Sequence, residues 1–184
     1  MALTETPICN FGEKAKDFNL LSTEKENISL KDIKGEKGTL IMFICNHCPY
    51  VKAVINNIAS DVNYLKKIGI NSVAIMSNDV KNYPEDSFDN MVNFSKEHSF
   101  SFPYLYDDTQ VIAKKYGAVC TPDFFGYNKN LKLQYRGRIR ELKDLKPVIN
   151  GDSDLKKAMK SIAETGNGPK NQIPSMGCNI KWFK

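Results

Sequence analysis

The sequence predicts an α/β domain: a central mixed β-sheet with helices on both faces. Three features carry this reading. Two continuous apolar runs, 40–44 and 70–76, suit strands buried on both faces, as in a parallel sheet. An amphipathic helical stretch lies between them, which is the layout of a parallel crossover unit. After Pro122, two further strand-like runs are joined by a short polar turn, so an antiparallel hairpin follows the crossover.

In chain order, residues 1–16 are polar and read as a loosely held lead-in. Residues 18–20 and 27–30 read as two short strands around the polar turn at 22–26. The strand at 40–44 ends directly at Cys45. Val51, Val54, Ile55, Ile58, Ala59, Val62 and Leu65 then recur at the spacing of one helix face. Pro49 stands near the start of that helix, where a missing N–H costs little. Gly69 ends it after Lys66 and Lys67, as the helix dipole favours. Beyond the strand at 70–76, Pro84 opens a helix carrying Phe88, Met91, Val92 and Ser95. Residues 104–106 form a short strand. Residues 108–116 form a short helix capped by Asp107 or Asp108 and stopped by Gly117. The hairpin strands are 123–127 and 131–135, joined by Asn128-Lys129-Asn130. The last helix starts near Ser153, buries Leu155, Ala158, Met159, Ile162 and Ala163, and closes at Gly166. Residues 165–184 are a Gly-, Pro- and Asn-rich tail. Its Ile173, Met176, Ile180, Trp182 and Phe183 predict that it packs on the domain. A single domain spans 1–184.

Composition narrows the function. Hydrophobic residues at 41% and charged residues at 26% are ordinary for a globular chain. The net charge of +5 is mild and its lysines are scattered. Arg136, Arg138 and Arg140 alternate as on the solvated face of a strand. There is no basic stripe or reading motif for nucleic acid. No run approaches the 18 or so apolar residues that cross a bilayer. The first twelve residues lack the apolar core of a signal peptide, so the expectation is a cytoplasmic protein with neither nucleic-acid nor membrane partners. The five cysteines, Cys9, Cys45, Cys48, Cys120 and Cys178, are odd in number and irregularly spaced, unlike a secreted disulfide framework. In a reducing compartment such cysteines are catalytic, metal-binding or core residues.

The chemistry concentrates in Cys45-Asn46-His47-Cys48, two cysteines separated by two residues where a strand passes into a helix. A helix start presents free N–H groups and the positive end of the dipole, and both stabilise a thiolate. The thiolate is the form that attacks disulfides. The expectation is that Cys45 is the acidified nucleophile and that Cys48, about one turn on, resolves the mixed disulfide. A protonated His47 would favour the thiolate and shift the pair toward an oxidant; an exposed His47 would have little effect. A second signal is Cys120-Thr121-Pro122-Asp123, just before the hairpin.

A C-x-x-C after the first buried strand, with Thr-Pro opening a later hairpin, resembles the thioredoxin fold. With its extra N-terminal strands and the long segment 78–117, the chain is similar to the redoxin branch, over about residues 15–164. That branch holds thiol–disulfide oxidoreductases and the alkyl hydroperoxide reductase/thiol-specific antioxidant peroxidases. The resemblance implies that Pro122 is cis beside the cysteine pair and that Thr121 offers backbone groups to a substrate chain. Asn-His replaces the Gly-Pro of thioredoxin and shares its histidine with strongly oxidising Cys-Pro-His-Cys enzymes. Against the peroxidases, Cys48-Pro49 matches the peroxidatic Cys-Pro step. Cys45 holds their Thr position, and Ile41 stands where their upstream proline would be. Arg136 or Arg138 would have to supply their thiolate-facing arginine.

The function expected is thiol–disulfide oxidoreduction on protein or small-molecule disulfides, with a thiol electron donor and no cofactor. One alternative is a thiol peroxidase acting through Cys48. Another is a metal-binding module on Cys45, His47 and Cys48; a closed site usually has four ligands with a second pair at matching spacing, no such pair exists, and His98 and Cys120 would have to converge on it. Cys120 and Cys178 are either core residues or additional redox thiols, and Cys9 is incidental.

Overall fold

In the computed structural model, residues 3–7 and 9–184 are described. The elements are β1 (Leu3–Glu5), β2 (Asn19–Ser22), β3 (Asn27–Ser29), α1 (Leu30–Ile33), β4 (Gly38–Phe43), α2 (Pro49–Lys67) and β5 (Ile70–Met76), then a 3₁₀ turn (Pro84–Asp86), α3 (Phe88–Glu97), β6 (Tyr104–Tyr106) and α4 (Val111–Tyr116). The second half adds β7 (Cys120–Thr121), β8 (Asp123–Asn128), β9 (Leu133–Arg136), β10 (Leu142–Lys143), β11 (Lys146–Pro147), α5 (Asp154–Thr165) and β12 (Met176–Asn179).

The main sheet runs β3-β2-β6-β5-β4-β8-β9. β4, β5 and β6 are parallel, and the outer pairings are antiparallel. All of β4 is buried because both faces are covered. Leu40 and Met42 pack with Ile58 and Leu65 of α2 and with Met159 of α5. Ile41 and Phe43 pack on the other face with Ile33, Ile112 and Ile180. The parallel register pairs Phe43 with Ile75, so β4 and β5 end at the same level. The chain leaving each strand is thereby brought to one edge, where ligands of such sheets gather.

Several elements differ from the sequence expectation. The lead-in is held: Gly12 N donates to Leu133 O at 2.7 Å, Ala15 N to Leu131 O at 2.9 Å, and β1 pairs with β12. Met1, Ala2 and Ile8, also in that segment, lie outside the described residues. The helix expected from Pro84 is broken. Pro84–Asp86 is a 3₁₀ turn, and Ser87, at ψ 157°, caps a new helix by accepting from Asn90 N. α4 begins only at Val111, because Gln110 takes a left-handed conformation (φ 61°) and the Asp107 carboxylate accepts the amides of Ile112 and Ala113. The tail is held mainly by main-chain pairing of β12. Of its five large apolar residues Ile180 is buried and Trp182 packs in part, while Ile173, Met176 and Phe183 are exposed.

The alternating arginines are not a solvated strand face. Arg136 is buried in β9, opposite Phe125 of β8, and its side chain reaches the fully buried Asp123 of the same strand. Its Nη2 lies 2.9 Å from Asp123 Oδ2 and also donates to Gly117 O. The guanidinium sits 4.5 Å from the centre of the Phe125 ring. Burial pushes the Asp123 carboxyl up to about 6, against the pull of Arg136. Arg138 and Arg140 lie beyond the strand, on Asp154 and on the Val148 and Gly151 carbonyls. Removing one partner strands a buried charge. Arg136→Ala is therefore expected to lower unfolding stability by about 3–5 kcal/mol in urea titration.

Candidate active site

Cys45 lies two residues past β4, and Cys48 is the N-cap of α2, with Pro49 in the first helical position. The segment between them is fixed by Asp86, whose side chain is fully buried. Its Oδ1 accepts from the amides of Asn46 at 2.8 Å and His47 at 3.3 Å. Its Oδ2 accepts from His47 Nδ1 at 2.7 Å and Asn78 Nδ2 at 2.8 Å. Asn46 is held on its other side: its amide donates to Glu85 O at 3.1 Å, and its Oδ1 accepts from the Tyr104 hydroxyl at 2.9 Å. The His47 ring stacks on Tyr83 at 5.7 Å between centres, with Lys181 Nζ 5.7 Å from the centre of the same tyrosine ring. The hydrogen bond to Asp86 raises the His47 pKa, against its burial.

All five cysteines are reduced. Cys45 and Cys48 are both buried, at 1% and 0% exposure. Cys45 Sγ lies 3.4 Å from Thr121 Oγ1, and Cys48 Sγ lies 3.2 Å from Thr121 O. The Thr121–Pro122 peptide is cis. The structure therefore brings Cys45, His47, Cys48, Thr121 and Pro122 into one cluster.

Of the two sulfurs, the one whose pKa is lowered is Cys48, whereas the sequence pattern assigns the acidified role to Cys45. The Cys48 pKa is lowered to about 5, first by the Cys45 thiol that hydrogen-bonds to it, then, against burial, by the Cys178 thiol and by the amides of Val51 and Cys178. Cys45 is held well above the ordinary thiol value because it keeps the proton it shares with Cys48. Burial and the facing Asp86 charge add to this. The reason is local: α2 starts one residue after Cys48, so the free amides of its first turn serve Cys48, while Cys45 sits a full turn earlier beside a carboxylate.

The other cysteines divide. Cys120 is buried in β7 with its thiol 3.8 Å from Pro122 O, and burial drives its pKa up. Cys178 lies in β12 directly opposite Thr121. Burial and donation to Cys48 push it up to about 12. Cys9 packs with the apolar cluster on the other face of the sheet. Thr121, implied to offer its backbone to a substrate, has that backbone paired with β12. A cavity of about 350 Å³ borders Pro122 and Tyr50 and reaches Arg138, Arg140 and Met176, but no cysteine lines it.

Arg136 and Arg138, the arginines a peroxidase reading would enlist, are engaged by Asp123 and Asp154. Among the described residues, the group of ligand-type atoms that could converge is Cys45, His47 and Asp86, all within 4.8 Å, not the Cys45, His47, Cys48 set expected. His98 ends α3 with its ring against Phe94, 4.5 Å between centres. Sequence reasoning missed Asp86, Asn78, Tyr83, Tyr104 and Lys181. Only Asp86, close behind Pro84, carried even a local signal, and there it read as the first turn of a helix.

The model of the AhpC/TSA family matches residues 11–141. The chain belongs to this family. Its fold is thioredoxin-like. An uncharacterized conserved protein from Geobacillus kaustophilus is 39% identical over 100% of this chain and 97% of its own, with a TM-score of 0.94. A hypothetical protein from Sinorhizobium meliloti is 33% identical over 98% of each chain, with a TM-score of 0.90. The thioredoxin domain of a thiol-disulfide oxidoreductase from Bacteroides vulgatus shares the fold at 15% identity, covering 70% of this chain and 89% of its own, with a TM-score of 0.60. No curated protein matches the chain.

The thiol assignment has a direct readout. Titrating the thiolate ultraviolet absorbance of the reduced protein should give one transition near pH 5, absent in Cys48→Ser. Cys45→Ala, which removes the largest favourable contact of the Cys48 sulfur, should move that midpoint upward.

Proposed function

We propose that this member of the AhpC/TSA family is a thiol–disulfide oxidoreductase working through the Cys45–Cys48 pair. The observation that carries the reading is a cysteine pair at a helix start with both sulfurs against Thr121, beside the cis Pro122. The Cys48 thiolate attacks a substrate disulfide and forms a mixed disulfide, releasing one thiolate. Cys45 then loses its proton, attacks the Cys48 sulfur and releases the second. The low Cys48 pKa makes it a good leaving group when an external thiol later reduces the pair. His47, Thr121 and Pro122 tune and orient the exchange, and no cofactor is needed. The partners are a disulfide-containing protein or small molecule and a thiol donor. An odd, irregular cysteine set supports a reducing, cytoplasmic setting.

The acidified Cys48 beside Pro49 favours peroxide reduction as a second reading. The engagement of Arg136 and Arg138 elsewhere weighs against it. The discriminating observable is Cys48 oxidation by hydrogen peroxide at a rate above that of a free thiol.

Trapping with a chromogenic disulfide tests the main reading. Wild type should turn over. Cys48→Ser should fall to the rate of an unassisted thiol, and a Cys45→Ser, Cys178→Ser double variant should give a stoichiometric burst and hold a mixed disulfide on Cys48. Trapping on Cys45 in the Cys48→Ser protein would reverse the two roles. Turnover at the wild-type rate in both variants would end the proposal.

A further inference from the structure

The strand that pairs with the cis-proline edge is the protein's own. β12 runs antiparallel along β7, with Cys178 opposite Thr121 and Asn179 opposite Cys120. The approach is close enough that a Cβ on residue 177 would overlap Thr121 O, so glycine is required there. Ser175 Oγ donates to Pro122 O at 2.6 Å. On its outer edge β12 pairs with β1, and Thr6 N donates to Ser175 O at 3.0 Å. Just past the strand, Lys181 N donates to Asn78 Oδ1, and Asn78 in turn holds Asp86. β12 thus fills the place where an extended chain would lie against Thr121. It turns Cys178 inward, 3% exposed, into the same apolar cluster as Cys45 and Cys48. The Cys178 thiol hydrogen-bonds to the Cys48 sulfur. Three thiols therefore meet around Thr121, with Cys48 in contact with both of the others.

We propose that β12 is a built-in substrate strand and that Cys178 is a third redox thiol, which forms a disulfide with Cys48. This rests on the thiol–disulfide reading above. The step is an isomerisation without net oxidation. Cys178 gives up its proton and attacks the Cys48 sulfur of the Cys45–Cys48 disulfide. The Cys48–Cys178 bond forms, the Cys45–Cys48 bond breaks, and Cys45 leaves as a thiolate that takes up the proton. The oxidant is the external disulfide that made the first bond. A Cys48–glutathione mixed disulfide can be resolved in the same way, with glutathione as the leaving thiol.

The test oxidises the reduced full chain with glutathione disulfide, quenches at low pH, alkylates and maps disulfides by mass spectrometry. Wild type should yield both the Cys45–Cys48 and Cys48–Cys178 linkages, and Cys45→Ser should convert mainly to Cys48–Cys178. The proposal is overturned if oxidised wild type holds only Cys45–Cys48 with Cys178 fully alkylated, and a Cys45→Ser protein that stops at a glutathione adduct on Cys48 would say the same. That result leaves the oxidoreductase reading intact. Oxidised wild type with neither linkage would sink both. Because wild type alone gives the decisive map, the outcome does not depend on any variant folding.

Discussion

Asp86 is buried without solvent contact, and its two oxygens take hydrogen bonds from two backbone amides of the Cys45–Cys48 segment, the His47 ring and Asn78. A buried carboxyl is costly unless its lone pairs are satisfied, and here they are. The arrangement exists because β4 and β5 are parallel and end level with each other. The segment after β4 carries the cysteines, and the segment after β5 returns through a 3₁₀ turn to place Asp86 beneath them. The same carboxyl favours the charged form of His47 and disfavours charge on Cys45. One side chain thus sets both the loop's shape and the side of the dithiol on which the charge settles.

The helix start completes that bias. With Cys48 at the N-cap, the amide of Val51 in the first turn faces its sulfur, and the β12 amide of Cys178 faces it from the other side. Both sulfurs are nonetheless shielded from solvent, and the cavity beside Pro122 stops short of them. Stabilising a thiolate inside a covered site takes several converging donors, and the cover itself, β12, supplies two of them.

Much of this was legible in the sequence, for identifiable reasons. The apolar runs at Ile70–Met76 and Tyr104–Tyr106 define strands with the bounds the pattern implies, and the 3.6-residue stripes of α2 and α5 are unmistakable because each faces one core. The cysteine pair declared itself by spacing. What stayed hidden depends on partners distant in sequence. Asp86 lies 40 residues from Asn46, inside what reads as a helix. The alternation of Arg136, Arg138 and Arg140 cannot reveal that Asp123 waits buried on the neighbouring strand. β1, β7 and β12 are too short for periodicity, and the tail is held through its backbone, which no side-chain pattern records. Which sulfur is acidified turned on where α2 begins, a one-residue question that sequence patterns do not resolve.

A thiolate on Cys48 would stabilise the reduced site, and the reduction potential of the Cys45–Cys48 pair measures that stabilisation most directly. Equilibration against a glutathione redox buffer should place it above thioredoxin's value of about −270 mV, toward the −120 mV or so of strongly oxidising enzymes. A potential at or below that of thioredoxin would contradict the account, because it would mean that the buried thiolate gives the dithiol no advantage over its disulfide.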